Sequence, residues 1–267
     1  TLFCAIQKVY SQLSSRRAHS LFKNAVERGQ IDHAPRFNAP SDLFNKPETT
    51  AILHKLVALS ALPVAGIEVD FAVDSTGFRT TTFNAYEGAK YGRKKEHQWV
   101  KAHLCAGIKT NVVAAVAITD AYSNDSPQFG PLVKRTAEGF TLNEVSADMA
   151  YSSRLNLQMV ANEGGKAYIP FKKNATGRAG GSAIWKKMFH YFQLNRDEFM
   201  EHYHKRSNIE ATNAAIKRKF GETLKSKNPV AQVNELLAKI IAYNLTVVIH
   251  EMYENGIQSE FLHVKSG

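Results

Sequence analysis

The order of strand-like and helix-like segments after Glu68 constrains the fold more than any other feature of this sequence. From Glu68 to Ser75 apolar and polar residues alternate, which predicts a strand with one buried face that ends near Gly77. Two apolar segments on either side of Lys109 and Thr110 predict a β-hairpin. Helical and strand patterns then alternate, which is typical of strands joined through helices. We therefore expect an α/β protein with a mixed five-stranded sheet, helices on both of its faces and an N-terminal helical segment.

Turn residues and changes of apolar period set the bounds of the individual segments. The predicted strands are 68–75, 97–108, 111–119, 142–147 and 166–171. The predicted helices are 1–30 with a junction near Ser15, 49–61, 127–137, 151–163, 184–192, 197–219 and a last one opened by Pro229, with connectors at 31–48 and 172–182. We divide the chain into an N-terminal helical region of residues 1–63, a main domain of residues 64–256 and a tail of residues 257–267. The first residue is Thr1 rather than Met, which leaves open a truncated start.

The charge of the chain favours an anionic partner, most simply nucleic acid, although many basic proteins bind nothing anionic. The formal net charge is +10 and the pI is about 9.5. Cys4 and Cys105 are the only cysteines, so the sequence contains neither a zinc motif nor a disulfide framework, as expected in a reducing cytosol. The apolar stretch 236–250 is interrupted by Lys239 and Asn244 and is too polar to span a bilayer. We therefore expect a cytoplasmic protein with no membrane partner.

Two aspartates follow predicted strands and are candidates for chemistry. Asp74 lies in Val-Asp-Ser-Thr-Gly-Phe at the end of the first predicted strand, and Asp148 lies in Ser-Ala-Asp-Met-Ala-Tyr just after the fourth. Neighbouring strands would bring the two carboxylates together. Taken singly, each aspartate is equally typical of a turn or a helix cap.

A third motif near the end of the chain is more specific. Tyr203, Arg206, Glu210 and Lys217 are separated by three, four and seven positions, which places them within an arc of about 60° if residues 197–219 form one helix. One stripe would then present an aromatic ring, two cations and a carboxylate. The alternative interpretation is a solvated helix face with an i,i+4 ion pair between Arg206 and Glu210.

The pattern Tyr-x2-Arg-x3-Glu-x6-Lys matches, without a departure, the Tyr-Arg-Glu-Lys signature of bacterial insertion-sequence transposases that contain a DDE domain. The segments around Asp74 and Asp148 resemble the first-Asp and second-Asp motifs of that family, and 124–126 is similar to another of its recurring segments. The resemblance covers residues 64–250 and implies a ribonuclease H-like fold. It also implies that Asp74, Asp148 and Glu210 are the catalytic triad and the metal ligands.

The chemistry that the resemblance implies suits these residue types. Carboxylate oxygens are suitable ligands for Mg²⁺, for which Mn²⁺ may be substituted in vitro, and two such ions about 3.5–4 Å apart can activate a nucleophile and stabilise a leaving oxygen. In the family, Asp74 would bridge both ions while Asp148 and Glu210 each complete one. Water would free a 3′-hydroxyl at the element end, and that hydroxyl would attack target DNA. The residues alone imply only phosphodiester chemistry, whereas strand transfer and a dimer on DNA come from the resemblance.

Three basic stretches, 90–101, 172–187 and 205–227, are candidates for the DNA path. Trp99 is favoured as a core residue, whereas Trp185 is evenly balanced between the core and stacking on unpaired bases. Four other carboxylates are alternative candidate ligands: Asp70, Asp120, Asp125 and Glu144. The predicted DNA-binding residues are Tyr203, Arg206, Lys217, Lys94, Lys95, Lys172, Lys173, Arg178 and Trp185.

Two other functions remain open from the sequence. The first is a nuclease of the same fold that cleaves DNA without strand transfer. The second is a non-catalytic DNA-binding protein derived from a transposase, against which the presence of all three carboxylates argues. The interval between Asp148 and Glu210 is too short for the large β-rich insertion domain of some relatives, so no such insertion is expected.

Overall fold

A computed structural model describes residues 1–80, 99–178 and 180–258 of the chain. The strands are β1 (Asp70–Arg79), β2 (Trp99–Gly107), β3 (Val113–Asp120), β4 (Glu144–Ala147) and β5 (Lys166–Tyr168). The helices before the sheet are α1 (Leu2–Ser11), α2 (Ser15–Glu27), α3 (Ala39–Phe44) and α4 (Pro47–Ala61). The later helices are α5 (Ser126–Ala137), α6 (Arg154–Asn162), α7 (Ala183–Leu194), α8 (Arg196–His204), α9 (Ser207–Phe220) and α10 (Pro229–Asn255).

The five strands form one mixed sheet in the order β3-β2-β1-β4-β5. β1, β2 and β3 pair antiparallel as a meander, while β4 and β5 join the other side of β1 in parallel. The parallel strands are connected through α5 and α6, because a parallel connection needs a crossover. The expected mixed five-stranded α/β fold is therefore confirmed, and it is consistent with the ribonuclease H-like fold.

Two successive residues of β1 contact helices on opposite faces of the sheet. The Asp74 carboxylate accepts hydrogen bonds from Arg206 and Asn213, which lie at the start of α9 and within it. The hydroxyl of the next residue, Ser75, donates instead to Asp125 at the start of α5. Because successive strand side chains point to opposite faces, these contacts place α5 and α9 in different layers.

β1 continues past Gly77, where the sequence predicted its end. Gly77 pairs with Lys101 of β2, and the ring of Trp99 lies where a side chain at residue 77 would be, 3.1 Å from an ideal Cβ. Gly77 therefore does not end the strand. Its lack of a side chain leaves space for the indole of Trp99 against a continuous β1. Trp99 is half-buried, with the Arg79 guanidinium over its ring.

The N-terminal helices agree with the predicted pattern except between residues 31 and 48, where α3 replaces part of the expected connector. α4 and the long α10 pack together, and residues from both belong to the main core that includes the sheet. A domain division at residue 63 stays a prediction. Among the described residues, no helix is both long and apolar enough to cross a membrane.

Asn244 of α10 connects this helix to the edge of the sheet. Its side-chain oxygen accepts from the Val113 nitrogen at 2.9 Å, and its side-chain nitrogen donates to the Val113 carbonyl at 2.8 Å. Asn244 is fully buried, and its amide also donates to Ser60 of α4. The polar residue that interrupts the apolar stretch 236–250 therefore binds the outer side of β3.

The segment between α9 and α10 is fixed to β1 and to a buried ion pair. Arg79, the last residue of β1, donates to Glu222 and accepts from Leu224 through its backbone. Glu235 of α10 accepts from the backbone nitrogens of Lys225 and Ser226. Lys239 donates to carbonyls within the same segment and lies 3.8 Å from Glu235. These bonds connect the C-terminal end of β1 to the segment that follows the C-terminal end of α9.

Candidate active site

Asp74 and Asp148 lie side by side on neighbouring strands. β1 and β4 are parallel, and Val73 is paired with Ala147 at the end of β4. Asp74 and Asp148, which follow these two residues, therefore occupy equivalent positions along the chain direction. Strands in a sheet are about 4.8 Å apart, so the two aspartates occupy adjacent positions on one sheet face. The side chain of Asp148 also accepts from the Ala150 nitrogen at 2.7 Å, as the cap of the 3₁₀ turn Met149–Tyr151.

Glu210 approaches Asp74 from the first turn of α9, and Arg206 lies between them. The Arg206 guanidinium donates to Glu210 at 3.0 Å and to Asp74 at 3.3 Å. Burial alone would lower the pKa of Arg206, but the negative charges around it, including Asp74, Asp148 and Glu210, raise it. Arg206 therefore bridges Asp74 and Glu210, which come from distant parts of the chain, and the charge of Asp148 acts on the same guanidinium.

Burial dominates the electrostatics of Asp74. The side chain is 16% exposed, and burial raises the pKa of its carboxyl, with a further increase from the charge of Asp148. Arg206 and a backbone hydrogen bond at Ser75 oppose this increase. Burial also raises the pKa of the Tyr151 hydroxyl, and nearby carboxylates, including Asp74 and Asp148, raise it further. Negative charge is thus concentrated in a poorly hydrated corner of the sheet, where a cation would be favoured.

The prediction of one continuous helix over residues 197–219 is wrong. α8 ends at His204 and α9 begins at Ser207. Between them the Arg206 nitrogen bonds to the Tyr203 carbonyl and the Ile209 nitrogen bonds to the Arg206 carbonyl, which is the i to i−3 pattern of a 3₁₀ turn. Tyr203 is therefore on α8, whereas Glu210 and Lys217 are on α9.

Lys205 lies at this interruption and connects it to the sheet. Its ammonium donates to Asp70 at 3.1 Å and to Glu144 at 2.9 Å, at the first residues of β1 and β4. His202 of α8 lies 2.8 Å from the same Glu144. The junction is held against the two strands that lead to Asp74 and Asp148, and two of the alternative carboxylates are engaged in holding it.

The other alternative carboxylates also have partners of their own. Asp125 accepts from Lys101 at 2.9 Å and from Ser75 at 3.1 Å, on the sheet face opposite to Asp74. Asp120 is exposed and accepts from Tyr122 and Ser123. Neither aspartate is placed beside Arg206 by these contacts.

The predicted DNA-binding residues that the structure describes lie on α7, on α8, α9 and their junction, and on the loop before α7. Half-buried Lys217 lies two turns beyond Glu210 on α9, with its ammonium over the ring of Phe78 and its pKa lowered by burial. Tyr203 is half-buried on α8, and Lys172, Lys173 and Arg178 are exposed on the loop before α7. Lys94 and Lys95 lie outside the described residues.

Trp185 is part of the core rather than an open surface. It is 8% exposed, its indole nitrogen donates to the Thr176 carbonyl, and Phe171 packs edge-on against its ring. The Arg154 guanidinium lies over the same ring. Of the two interpretations of Trp185, these contacts favour the core residue, because base stacking would require a free ring face.

The chemistry of the site suits a divalent cation, but the described carboxylates are not clustered tightly enough to define one. Among the described residues, no group of three or more His, Cys, Asp or Glu side chains is arranged to hold a metal ion. Asp74, Asp148 and Glu210 supply oxygen ligands of the kind that Mg²⁺ prefers. Glu210 is 62% exposed and is paired with Arg206, so the donor set fits such an ion by its chemistry, with Arg206 as the present counter-charge.

Asn213 is a polar contact of Asp74 that the sequence analysis did not identify. Its amide nitrogen donates to Asp74 at 3.3 Å, and the residue is 7% exposed. It lies three positions after Glu210, one turn further along α9, and that spacing alone does not distinguish a carboxylate contact from a solvated side chain.

The mixed five-stranded sheet, with Arg206 bridging carboxylates from β1 and α9, is consistent with the ribonuclease H-like fold of a DDE-type transposase domain. The comparison with known families agrees: the chain belongs to the family described as Transposase DDE domain, which matches residues 66–245. It is 26% identical over 206 residues to a protein of Archaeoglobus fulgidus described as a probable transposase for insertion sequence element ISA1214. That alignment covers 77% of this chain and 62% of the relative, so the chain spans less than two thirds of the relative's length. No solved structure matches the chain.

Proposed function

We propose that this chain is the catalytic part of an insertion-sequence transposase that cleaves phosphodiester bonds and then transfers strands. The observation that supports this most directly is that Arg206 donates to both Asp74 and Glu210, while the charge of Asp148 acts on the same guanidinium. Membership of the DDE family supports the reaction class, and the Archaeoglobus fulgidus protein is described as serving an insertion element. We propose the same role for this chain, acting in the bacterial cytoplasm on chromosomal or plasmid DNA.

In the proposed reaction, Asp74, Asp148 and Glu210 would hold Mg²⁺ or Mn²⁺. A bound divalent ion supplies activation of the attacking oxygen and charge stabilisation of the leaving oxygen. Burial of Asp74 strengthens its interaction with any cation, because charges interact more strongly in a poorly hydrated site. Arg206 would exchange its carboxylate partners for a phosphate of the DNA, which guanidinium groups bind in a bidentate manner.

The DNA path would follow the basic groups around the site. Lys217 on α9 and Tyr203 on α8 would contact phosphates on two sides of the carboxylates. The exposed cations Lys172, Lys173 and Arg178, together with Lys94 and Lys95, would contact flanking DNA by charge. Two such chains would form a dimer on a pair of element ends.

The test is cleavage of a plasmid that carries the inverted repeats flanking the gene, with Mg²⁺ or Mn²⁺ present. We expect nicked and joined products from the wild type, and a loss of at least about 100-fold in Asp74→Asn, Asp148→Asn and Glu210→Gln. Asp120→Asn is the matched control, because the carboxylate of exposed Asp120 accepts from Tyr122 and Ser123 of its own turn. Full activity in the Asp74 or Glu210 variant would reject the assignment, and cleavage without joined products would favour the nuclease alternative.

A further inference from the structure

Both oxygens of the Asp74 carboxylate are held by side chains near the start of α9. Oδ1 accepts from Arg206 and Oδ2 accepts from the Asn213 amide, each at 3.3 Å. Asn213 follows Glu210 by three positions, so the two residues lie one turn apart on the same side of α9. We propose that Asn213 is a positioning residue that orients Asp74 for cation binding, an inference that rests on the proposed function.

The burial of Asn213 is unfavourable for packing alone. The residue is 7% exposed, and its side-chain oxygen is buried with no hydrogen-bond partner among the described residues. A buried amide oxygen without a partner loses its hydration, whereas a leucine of similar size would fill the same space without that cost. The hydrogen bond to Asp74 accounts for an amide at this position.

Other polar residues of α9 have a different kind of partner. Asn208 donates to the Ile108 carbonyl at 3.0 Å, and Thr212 donates to the Asn208 carbonyl of its own helix at 3.1 Å and to the Asn111 side chain at 3.3 Å. Those bonds join uncharged groups and would be equally useful in a protein without an active site. Asn213 instead contacts the most buried carboxylate of the site, so its effect is exerted on Asp74.

The contact leaves Asp74 able to bind a cation. A carboxylate oxygen has two lone pairs, so the amide hydrogen occupies one at Oδ2 and leaves the other available. The same hydrogen bond restricts rotation of the carboxylate, which Arg206 alone would not do once it turned to a phosphate. Loss of an outer-shell partner of this kind lowers metal affinity about 10- to 100-fold.

The experiment measures Mn²⁺ binding to the 267-residue chain without DNA, by electron paramagnetic resonance of free Mn²⁺. We expect Asn213→Leu to raise the Mn²⁺ dissociation constant about tenfold. The control is Asn208→Leu, the same exchange on the same helix away from Asp74, which should bind Mn²⁺ as the wild type does. Circular dichroism verifies folding, and Asn213→Ala decides the question if the leucine variant does not fold.

A DNA cleavage titration gives a second readout. In Asn213→Leu the Mn²⁺ concentration for half-maximal cleavage should rise about tenfold, with a smaller change in the rate at saturating Mn²⁺. Equal Mn²⁺ affinity in the wild type and the Asn213 variant would overturn the role of Asn213. If Asp74→Asn also bound Mn²⁺ as tightly as the wild type, the carboxylate site itself, and with it the proposed function, would be overturned.

Discussion

The buried pair Glu235 and Lys239 gives the most quantitative prediction. Glu235 is 8% exposed, and its two oxygens accept three hydrogen bonds of 2.8–3.0 Å from the backbone nitrogens of Lys225 and Ser226. Glu235→Ala leaves those nitrogens without their acceptor and leaves Lys239 without its counter-charge. Removing one partner of a buried pair costs about 3–5 kcal/mol. For a chain of this size each kcal/mol lowers the melting temperature by about 2–4 °C, so we expect a decrease of about 10 °C.

The assay is thermal unfolding followed by circular dichroism, with urea unfolding for the free energy. Glu235→Gln keeps one acceptor oxygen and loses the charge, so it should cost about 1–2 kcal/mol. The control is Glu254→Ala on the exposed end of the same helix, which should stay within about 0.5 kcal/mol of the wild type. A Glu235→Ala protein that melts within about 2 °C of the wild type would refute the reasoning, because the hydrogen bonds would then be worth little.

The remaining predictions concern the site and its support. Burial raises the pKa of Asp74 in the folded state, so its ionised form opposes folding at neutral pH. Without metal, Asp74→Asn should therefore have a higher melting temperature than the wild type, and an equal or lower melting temperature would contradict this. By the same sign, the advantage of Asp74→Asn should shrink as the pH falls through the raised pKa of Asp74, which melting curves at a series of pH values will measure. With Mn²⁺ at about 100 times its dissociation constant the wild type should gain about 2.7 kcal/mol and Asp74→Asn much less, as compared by urea unfolding. Lys205→Met should reduce both the melting temperature and DNA cleavage, because it leaves Asp70 and Glu144 without their shared cation. Lys55→Met serves as control, because Lys55 is exposed on α4 and lies outside the three basic stretches, and equal behaviour of the two variants would count against the junction.

Much of the fold was accessible from local patterns. The hairpin and β4 could be predicted from the sequence because each strand buries one or both of its faces, and burial determines how often apolar residues recur along the strand. The extent of β1 was not, since Gly77 is a usual end signal and only the position of the Trp99 ring explains why the strand continues. The end of β1 thus depends on a tertiary contact between residues that are more than twenty positions apart in the sequence, which a local sequence pattern does not contain.

The candidate site was predictable to the extent that its spacing was local. The signature located Arg206 and Glu210, and in the structure Arg206 donates to both Glu210 and Asp74. The break before α9 was missed, and the ion pairs that Lys205 makes there are with two strands that are remote in sequence. Asn213 was missed for a similar reason: an asparagine within a helix has no local signal that separates a carboxylate contact from a solvated side chain.

Asn244 limits how this protein can associate with others. At Val113 the outward-facing backbone groups of β3 are already saturated by an amide that imitates a neighbouring peptide unit. A strand from another chain would find no free donor or acceptor there, and edges that are closed in this way resist sheet-to-sheet joining. Pairing of two copies on DNA would therefore have to use surfaces other than this end of β3.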